Sequence, residues 1–207
     1  MATDGRPNLT RELIAETALR LTDEDGLSGL SMRKLGAELG VEAMSLYHYV
    51  SNKDDLLDAV LDRLYAEIEL PRDIPDDDWE RATREGLASF NQVLLRHQAA
   101  LELFATRSAS TPASHEVLYW SYRRFEVVGL TPEESVLALR SAVSFVMGHA
   151  VSEFGVLGRG EQFDLSTIAD PEVQTFLTVG REVDGTRSFE WGIDLVVAGL
   201  RAVFDLP

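Results

Sequence analysis

Cysteine is absent from this chain of 207 residues, and lysine nearly so, with Lys34 and Lys53 its only examples. Without cysteine there are no disulfides, thiolate metal sites or thiol nucleophiles, which suits a reducing compartment. The four histidines, His48, His97, His115 and His149, fall in no HxxxH or HExxH spacing. Neither a GxSxG elbow nor a phosphate-cradling glycine loop occurs. The expectation is no catalytic residue, no metal and no cofactor. The opening MATDGRPNLT has no apolar core of a signal peptide, and no run approaches the ~18 continuous apolar residues of a membrane span. A cytoplasmic protein with no membrane partner is therefore expected.

What is present is acid. The formal net charge is -16, which opposes non-specific binding to nucleic acid because phosphate neutralisation dominates that affinity. The charge is not spread evenly. Between Ser31 and Lys53, Arg33, Lys34 and Lys53 stand against only Glu38 and Glu42, so this stretch is close to neutral and holds both lysines. Arginine-rich, lysine-poor usage, as in a high-GC genome, accounts for the scarcity of lysine but less well for where the two lie.

Apolar residues recur at spacings of three and four with well-separated stop signals, and no alternating strand pattern appears, so the fold class is all-α, with nine or ten helices. Thr10 is placed to cap a first helix that ends near Asp25-Gly26. Ser51 with Asp54 reads as the cap of a long helix that stops before Pro71. PRDIPDDD, from Pro71 to Asp78, is the clearest linker, and Asp77 with Glu80 opens the helix that follows it. A helix from about Ser114 closes at Gly129, and Thr131-Pro132-Glu133-Glu134 combines cap, first-turn proline and capping-box glutamate for a helix through about Val156. Gly158 to Ser166 reads as a polar loop, Asp170-Pro171 opens a short helix, and a last helix runs from about Ser188 to Phe204.

The stretch from Ser31 to Lys53 meets the needs of a helix-turn-helix. Leu35 and Leu39 give one-turn apolar contacts, Gly36 and Ala37 the small crossing surface, Gly40 the turn, and Val41 and Leu46 the anchors of the second helix. Such a helix reads bases through its N-terminal residues while hydroxyls and cations hold phosphates. The candidate DNA-binding residues are Arg33, Lys34, Glu42, Ala43, Met44, Ser45, Tyr47, His48, Tyr49 and Lys53. Ala43 and Met44 suit thymine methyls, and Arg33 or Ser45 a base edge or phosphate. Core packing is the competing reading for the tyrosines, and a helix-start carboxylate for Glu42.

RKLGAELGV followed by LYHYVSNKDDLLDAV resembles the DNA-binding domain of the TetR family of repressors. FNQVLLRHQAALELFATR, from Phe90 to Arg107, and FEWGIDLVVAGL, from Phe189 to Leu200, resemble the regulatory domain of the Tet repressor subgroup. The resemblance implies an N-terminal three-helix reader, residues 1–52, a connecting helix, 52–70, and a larger helical domain, 71–207, for ligand binding and dimerisation. It implies a homodimer on double-stranded, pseudo-palindromic operator DNA, released by a small-molecule effector. The last helix, internal core or half of an intermolecular bundle on composition alone, is then assigned to the interface through Gly192, Val196, Gly199, Leu200 and Val203.

Apolar pockets with a few polar groups hold such effectors, and Phe90, Leu94, Leu103, Phe104, Trp120, Phe145 and His149 are the candidates, core packing being the alternative for each. The subgroup's polar ligands for magnesium-tetracycline have no match. Leu103 and Phe104 stand before Ala105-Thr106-Arg107 where a histidine is expected, Glu69 and Gly86 near the other polar positions. A more apolar, metal-independent effector is implied. The competing function is an interaction or ligand-sensing protein of the same fold without operator binding, for which the acidity argues.

Overall fold

A computed structural model of the chain describes residues 9–154 and 164–206, which form ten α-helices and no strand. In order they are α1 (Arg11–Asp25), α2 (Met32–Glu38), α3 (Ala43–Leu46), α4 (Lys53–Ala66), α5 (Trp79–Arg96), α6 (Leu101–Thr106), α7 (Pro112–Val127), α8 (Pro132–Phe154), α9 (Pro171–Glu182) and α10 (Gly185–Phe204).

Local chemistry sets most of the boundaries. Thr10 accepts from the Leu13 amide and opens α1, and Gly26, at φ 78, closes it. Thr131 and Glu134 exchange the reciprocal bonds of a capping box at the start of α8. Asp170 caps α9 with Pro171 in the first turn.

Four helix starts differ from the expectations. Asn52, not Ser51, caps α4: its extended backbone lets the side chain accept from the Asp55 amide at 2.9 Å, while Asp55 accepts from the Ser51 amide at 2.7 Å. Asp78, not Asp77, accepts from the Arg81 amide at the start of α5. Thr111 and Ser114 cap each other's amides, so α7 begins at Pro112, earlier than expected. Asp184 accepts from the Arg187 amide and moves the start of α10 forward to Gly185. Most of the loop read from Gly158 to Ser166 lies outside the described residues, as does the expected end of α8 at Val156; Leu165–Thr167 forms a 3-10 turn.

The chain divides into two compact units. One joins Met1–Glu69 to Val93–Tyr119, and the other joins Leu70–Gln92 to Trp120–Pro207. The segment 93–119, which follows the linker in sequence, thus belongs with the helix-turn-helix. In the first unit Ile14, Ala18, Leu35, Leu46, Leu56, Val60 and Leu64 form a closed apolar core joined by Leu94 and Leu103. In the second, Trp79 and Phe125 pack with ring centroids 6.2 Å apart, and Ala138, Ala142, Val146 and Ala150 form a ridge of buried residues at four-residue spacing along α8. From Pro132 to Glu153, α8 is long and apolar enough to cross a membrane by composition, with mean hydropathy 1.3, a property the continuous-run criterion did not register.

Candidate nucleic-acid interface

The reader is built from α2, α3 and the turn between them. Ser31 caps α2 by accepting from the Lys34 amide. Gly40 occupies the turn at φ 67, where a side chain would strain the backbone. Gly36 has a steric role: a Cβ there would lie 2.8 Å from the Val41 carbonyl oxygen and 3.1 Å from the Ala43 amide nitrogen. The two short helices cross at that glycine. Leu35, Leu39 and Leu46 are buried beneath it.

α3 has only one turn of α-helix, and Tyr47, His48 and Tyr49 continue it in hydrogen-bonded turns rather than as a longer helix. Those residues face outward. Met44 is 73% exposed, Tyr47 43% and Tyr49 40%, which removes the core-packing reading for both tyrosines. Glu42, His48, Arg33 and Lys53 are exposed, and Ala43 and Ser45 are half-buried. Glu42 stands at the N-cap position but makes no side-chain capping bond. The candidate cations separate: Lys34 is engaged with Asp25, whereas among the described residues Arg33 and Lys53 have no carboxylate partner.

Two polar junctions hold this surface, and neither was legible in the sequence. Arg11 of α1 donates to the Tyr49 carbonyl at 2.9 Å, to the Asp55 carbonyl at 3.2 Å and to the Asp55 carboxylate, tying the end of the reader to the start of α4. The Arg11 hydrogen bond and the Ser51 amide together pull the Asp55 carboxyl down to about 2. At the other end of α4, His97 is buried between two carboxylates, with Nδ1 2.8 Å from Asp23 and Nε2 2.9 Å from Glu67. Arg96 and Arg63 also reach Glu67, at 2.9 and 3.3 Å. Burial pushes the Glu67 carboxyl up, but the His97 hydrogen bond and the neighbouring positive charges outweigh it and leave the group below its ordinary value. Partners 74 and 30 residues away in sequence leave no local pattern to find.

The expected pocket residues are divided between the units. Leu94 and Leu103 are buried in the first, where Phe104 packs edge-on to Tyr65 at 5.1 Å. Phe90, Trp120, Phe145 and His149 belong to the second. There Phe145, His149 and Phe189 form one cluster, with centroids 5.0 to 6.2 Å apart, and the Arg124 guanidinium lies 4.4 Å from the Trp120 ring centre. Burial lowers the pKa of His149, against a smaller opposing effect of Glu153.

Residues 14–60 match the family described as "Bacterial regulatory proteins, tetR family", and residues 70–204 match "Tetracyclin repressor-like, C-terminal domain". The chain belongs to the TetR family. It is 37% identical over 149 residues to the HTH-type transcriptional repressor DrrR1 of Streptomyces coeruleorubidus, covering 72% of this chain but 55% of that protein. A regulator from Saccharopolyspora erythraea is 36% identical with 62% of its length covered, so the chain spans little more than half of these relatives. The class E tetracycline repressor of Escherichia coli is 27% identical with 95% of this chain and 93% of that one covered. Among solved structures, Streptomyces coelicolor ActR in complex with actinorhodin superposes with a TM-score of 0.77 at 28% identity, covering 95% of this chain and 98% of ActR.

The C-terminal helices of this TetR-family protein sort the expected interface residues by face. Gly192 and Leu200 point inward: a Cβ at Gly192 would lie 2.3 Å from the Phe145 ring, and Leu200 is buried. They pack within the chain because α10 meets α8 on that side. Val196 is half-buried, Gly199 is exposed and Val203 is 75% exposed. The exposed stripe also includes Trp191 at 68% and Leu195 at 59%, which the sequence reading did not single out. On α8, Leu137, Ser141, Ser144, Gly148 and Val151 form a matching exposed line at alternating spacings of four and three.

Proposed function

We propose that the protein is an operator-binding transcriptional repressor that acts as a homodimer in the cytoplasm and is released from DNA by a small, largely apolar effector. The observation that carries this reading is the surface of α3: Met44, Tyr47 and Tyr49 are exposed apolar and hydroxyl groups, flanked by Arg33 and Lys53, whose charges are not engaged by carboxylates among the described residues. An acidic protein whose reader keeps these two cations uncommitted among the described residues has the means for local phosphate contact with little general affinity for DNA. Lys34, paired with Asp25, contributes less, and Ala43, Ser45, Glu42 and His48 complete the contact surface.

Dimerisation rests on the outer faces of α8 and α10. Trp191, Leu195 and Val203 are large apolar groups exposed on one face of a helix whose other face is already satisfied, and α8 presents small residues between Leu137 and Val151. Two such helix pairs, one from each chain, suit a four-helix interface. One recognition helix spans too few base pairs to be selective, so a two-fold pair is also what operator reading requires. The functional division is a reader at residues 1–52, a connecting helix at 52–70 and a regulatory region at 71–207, with segment 93–119 attached to the reader's own compact unit.

Effector release is supported by ActR, solved in complex with actinorhodin. For this chain the pocket draws on Phe90, Trp120, Phe145 and His149 of the second unit. Leu103, Phe104 and Gly86, standing where the subgroup places polar groups for its magnesium-linked ligand, favour an effector bound without magnesium.

A gel-shift titration on DNA from the region upstream of the protein's own gene tests the function. Sequence-selective binding is expected, with an affinity that falls steeply with salt, and Arg33→Ala and Lys53→Ala should each reduce the logarithmic salt slope by ~0.9 if each holds one phosphate. Absence of binding at low salt overturns the repressor reading in favour of a sensing or interaction protein.

A further inference from the structure

The exit of the reader is tied to a residue outside the helix-turn-helix. Segment 47–52 joins α3 to α4; it carries the exposed Tyr47 and Tyr49 and delivers the chain to Lys53, the first residue of α4. Val50, fully buried, anchors its inner side. Burial is non-directional, so one apolar anchor sets the depth of the segment but not its angle, whereas hydrogen bonds set an angle.

Arg11 reaches the segment from α1 with both terminal nitrogens. Nη1 donates to the Tyr49 carbonyl at 2.9 Å, and Nη2 donates to the Asp55 carbonyl at 3.2 Å and to Oδ1 of Asp55. Oδ2 of the same carboxylate accepts from the Ser51 amide at 2.7 Å. The carboxylate therefore joins α1 through one oxygen and the segment through the other, and the guanidinium spans the chain on both sides of Asn52 and Lys53. A planar fork with separately aimed nitrogens suits this task. A lysine ammonium is a point charge on a flexible stem and cannot hold two carbonyls in one geometry. The Arg11 and Ser51 contacts keep the Asp55 carboxyl at about 2, so the link is ionised throughout the neutral range.

We propose that Arg11 and Asp55 are positioning residues of the DNA reader: the pair sets the direction of segment 47–52, so that the Tyr49 hydroxyl and the Lys53 ammonium meet the operator backbone together. This rests on the operator-binding reading and gives a role to two residues outside the DNA-contacting set. Charge and position predict opposite signs for one substitution. Asp55→Asn removes a negative charge beside the reader of a chain with net charge -16, so electrostatics alone makes any duplex bind more tightly. Loss of positioning weakens operator binding instead. Arg11→Lys leaves the charge unchanged and removes only the fork, so it separates geometry from general attraction to phosphate.

Fluorescence anisotropy on the upstream operator duplex, and on a scrambled duplex of equal length and composition, tests this. Arg11→Lys and Asp55→Asn should each bind the operator at least tenfold more weakly than wild type without losing affinity for the scrambled duplex. Each should lower the logarithmic salt slope on the operator by ~0.9, the phosphate held by Lys53, and adding Lys53→Ala should lower it no further. Hydrogen exchange measured without DNA should be faster in residues 47–56 of both variants and unchanged in residues 14–22. A loss of operator affinity below tenfold, tighter operator binding by Asp55→Asn, or a further slope loss with Lys53→Ala overturns the proposal. Loss of the folded circular-dichroism spectrum in both variants also overturns it, because Arg11 then holds the fold and not the reader. A wild type that binds both duplexes alike rejects the repressor reading, and faster exchange confined to 47–56 then still upholds the Arg11 link. A selective wild type whose variants keep their operator affinity rejects the positioning role and leaves the repressor standing.

Discussion

Replacing His97 by alanine should destabilise the unit that carries the reader more than most single substitutions in the protein. The ring is buried and makes two hydrogen bonds to carboxylates, at 2.8 Å to Asp23 and 2.9 Å to Glu67. Each ring nitrogen lies within hydrogen-bond distance of a carboxylate oxygen, and hydrogen bonds to carboxylates are stronger than those between neutral groups. A bond to a charged group contributes ~1.5–3 kcal/mol. The Asp23 side chain is 30% exposed and regains water when the ring is removed, and Glu67 keeps Arg96 and Arg63. Both facts reduce the loss, and about 3 kcal/mol is a reasonable total, including the packing of the ring. For a chain of this size that lowers the melting temperature by roughly 6–12 °C. Thermal and urea unfolding of His97→Ala measure it. A double-mutant cycle with Asp23→Asn should give a coupling of at least ~1 kcal/mol, because the two side chains share a bond. A melting temperature within 2 °C of wild type, or strictly additive mutants, refutes the assignment of His97 as the tie between Asp23 and Glu67.

Three other outcomes are expected. Asp55 has a carboxyl lowered from 3.8 to about 2, so its contribution is complete above pH ~4 and is lost as pH falls through about 2. The displacement corresponds to at most ~2.4 kcal/mol, and ~1–2 kcal/mol after allowance for solvent at the 40% exposed Arg11. Asp55→Asn should flatten the stability profile between pH 4 and 2, and an unchanged acid limb in circular dichroism melts contradicts the clamp. Gly36→Ala forces a Cβ to 2.8 Å from the Val41 carbonyl oxygen, so a loss of ~1–3 kcal/mol and at least tenfold weaker operator binding should follow; a wild-type gel shift and melt would show that the helices need not cross there. Leu195→Glu places a charge on the exposed stripe of α10 and should convert the proposed dimer to monomers by light scattering, whereas an unchanged mass rules that face out of the interface.

The reader was the more legible half of the protein. Gly36, Gly40, Leu35 and Leu46 have roles fixed by contacts within a few residues, so their spacing already encodes the turn and the crossing. The outward set from Arg33 to Lys53 follows from that local geometry, but Lys34 is withdrawn by Asp25. The regulatory half was less legible. Its helices are apolar on more than one side, and periodicity alone does not reveal which side meets a neighbour.

The sequence by itself determined that the chain is helical, that it carries a helix-turn-helix, where most helices are capped and which family it resembles. These properties depend on interactions over one or two turns. Tertiary structure decided which face of α10 is spent on Phe145 and which, with Trp191, Leu195 and Val203, remains exposed. It decided that 93–119 belongs with the reader's compact unit, that His97 bridges Asp23 and Glu67, and that Asn91 is buried with an unpaired amide oxygen. Each of these depends on partners brought together from distant parts of the chain, where burial and hydrogen-bond pairing are settled by packing and leave no local signal.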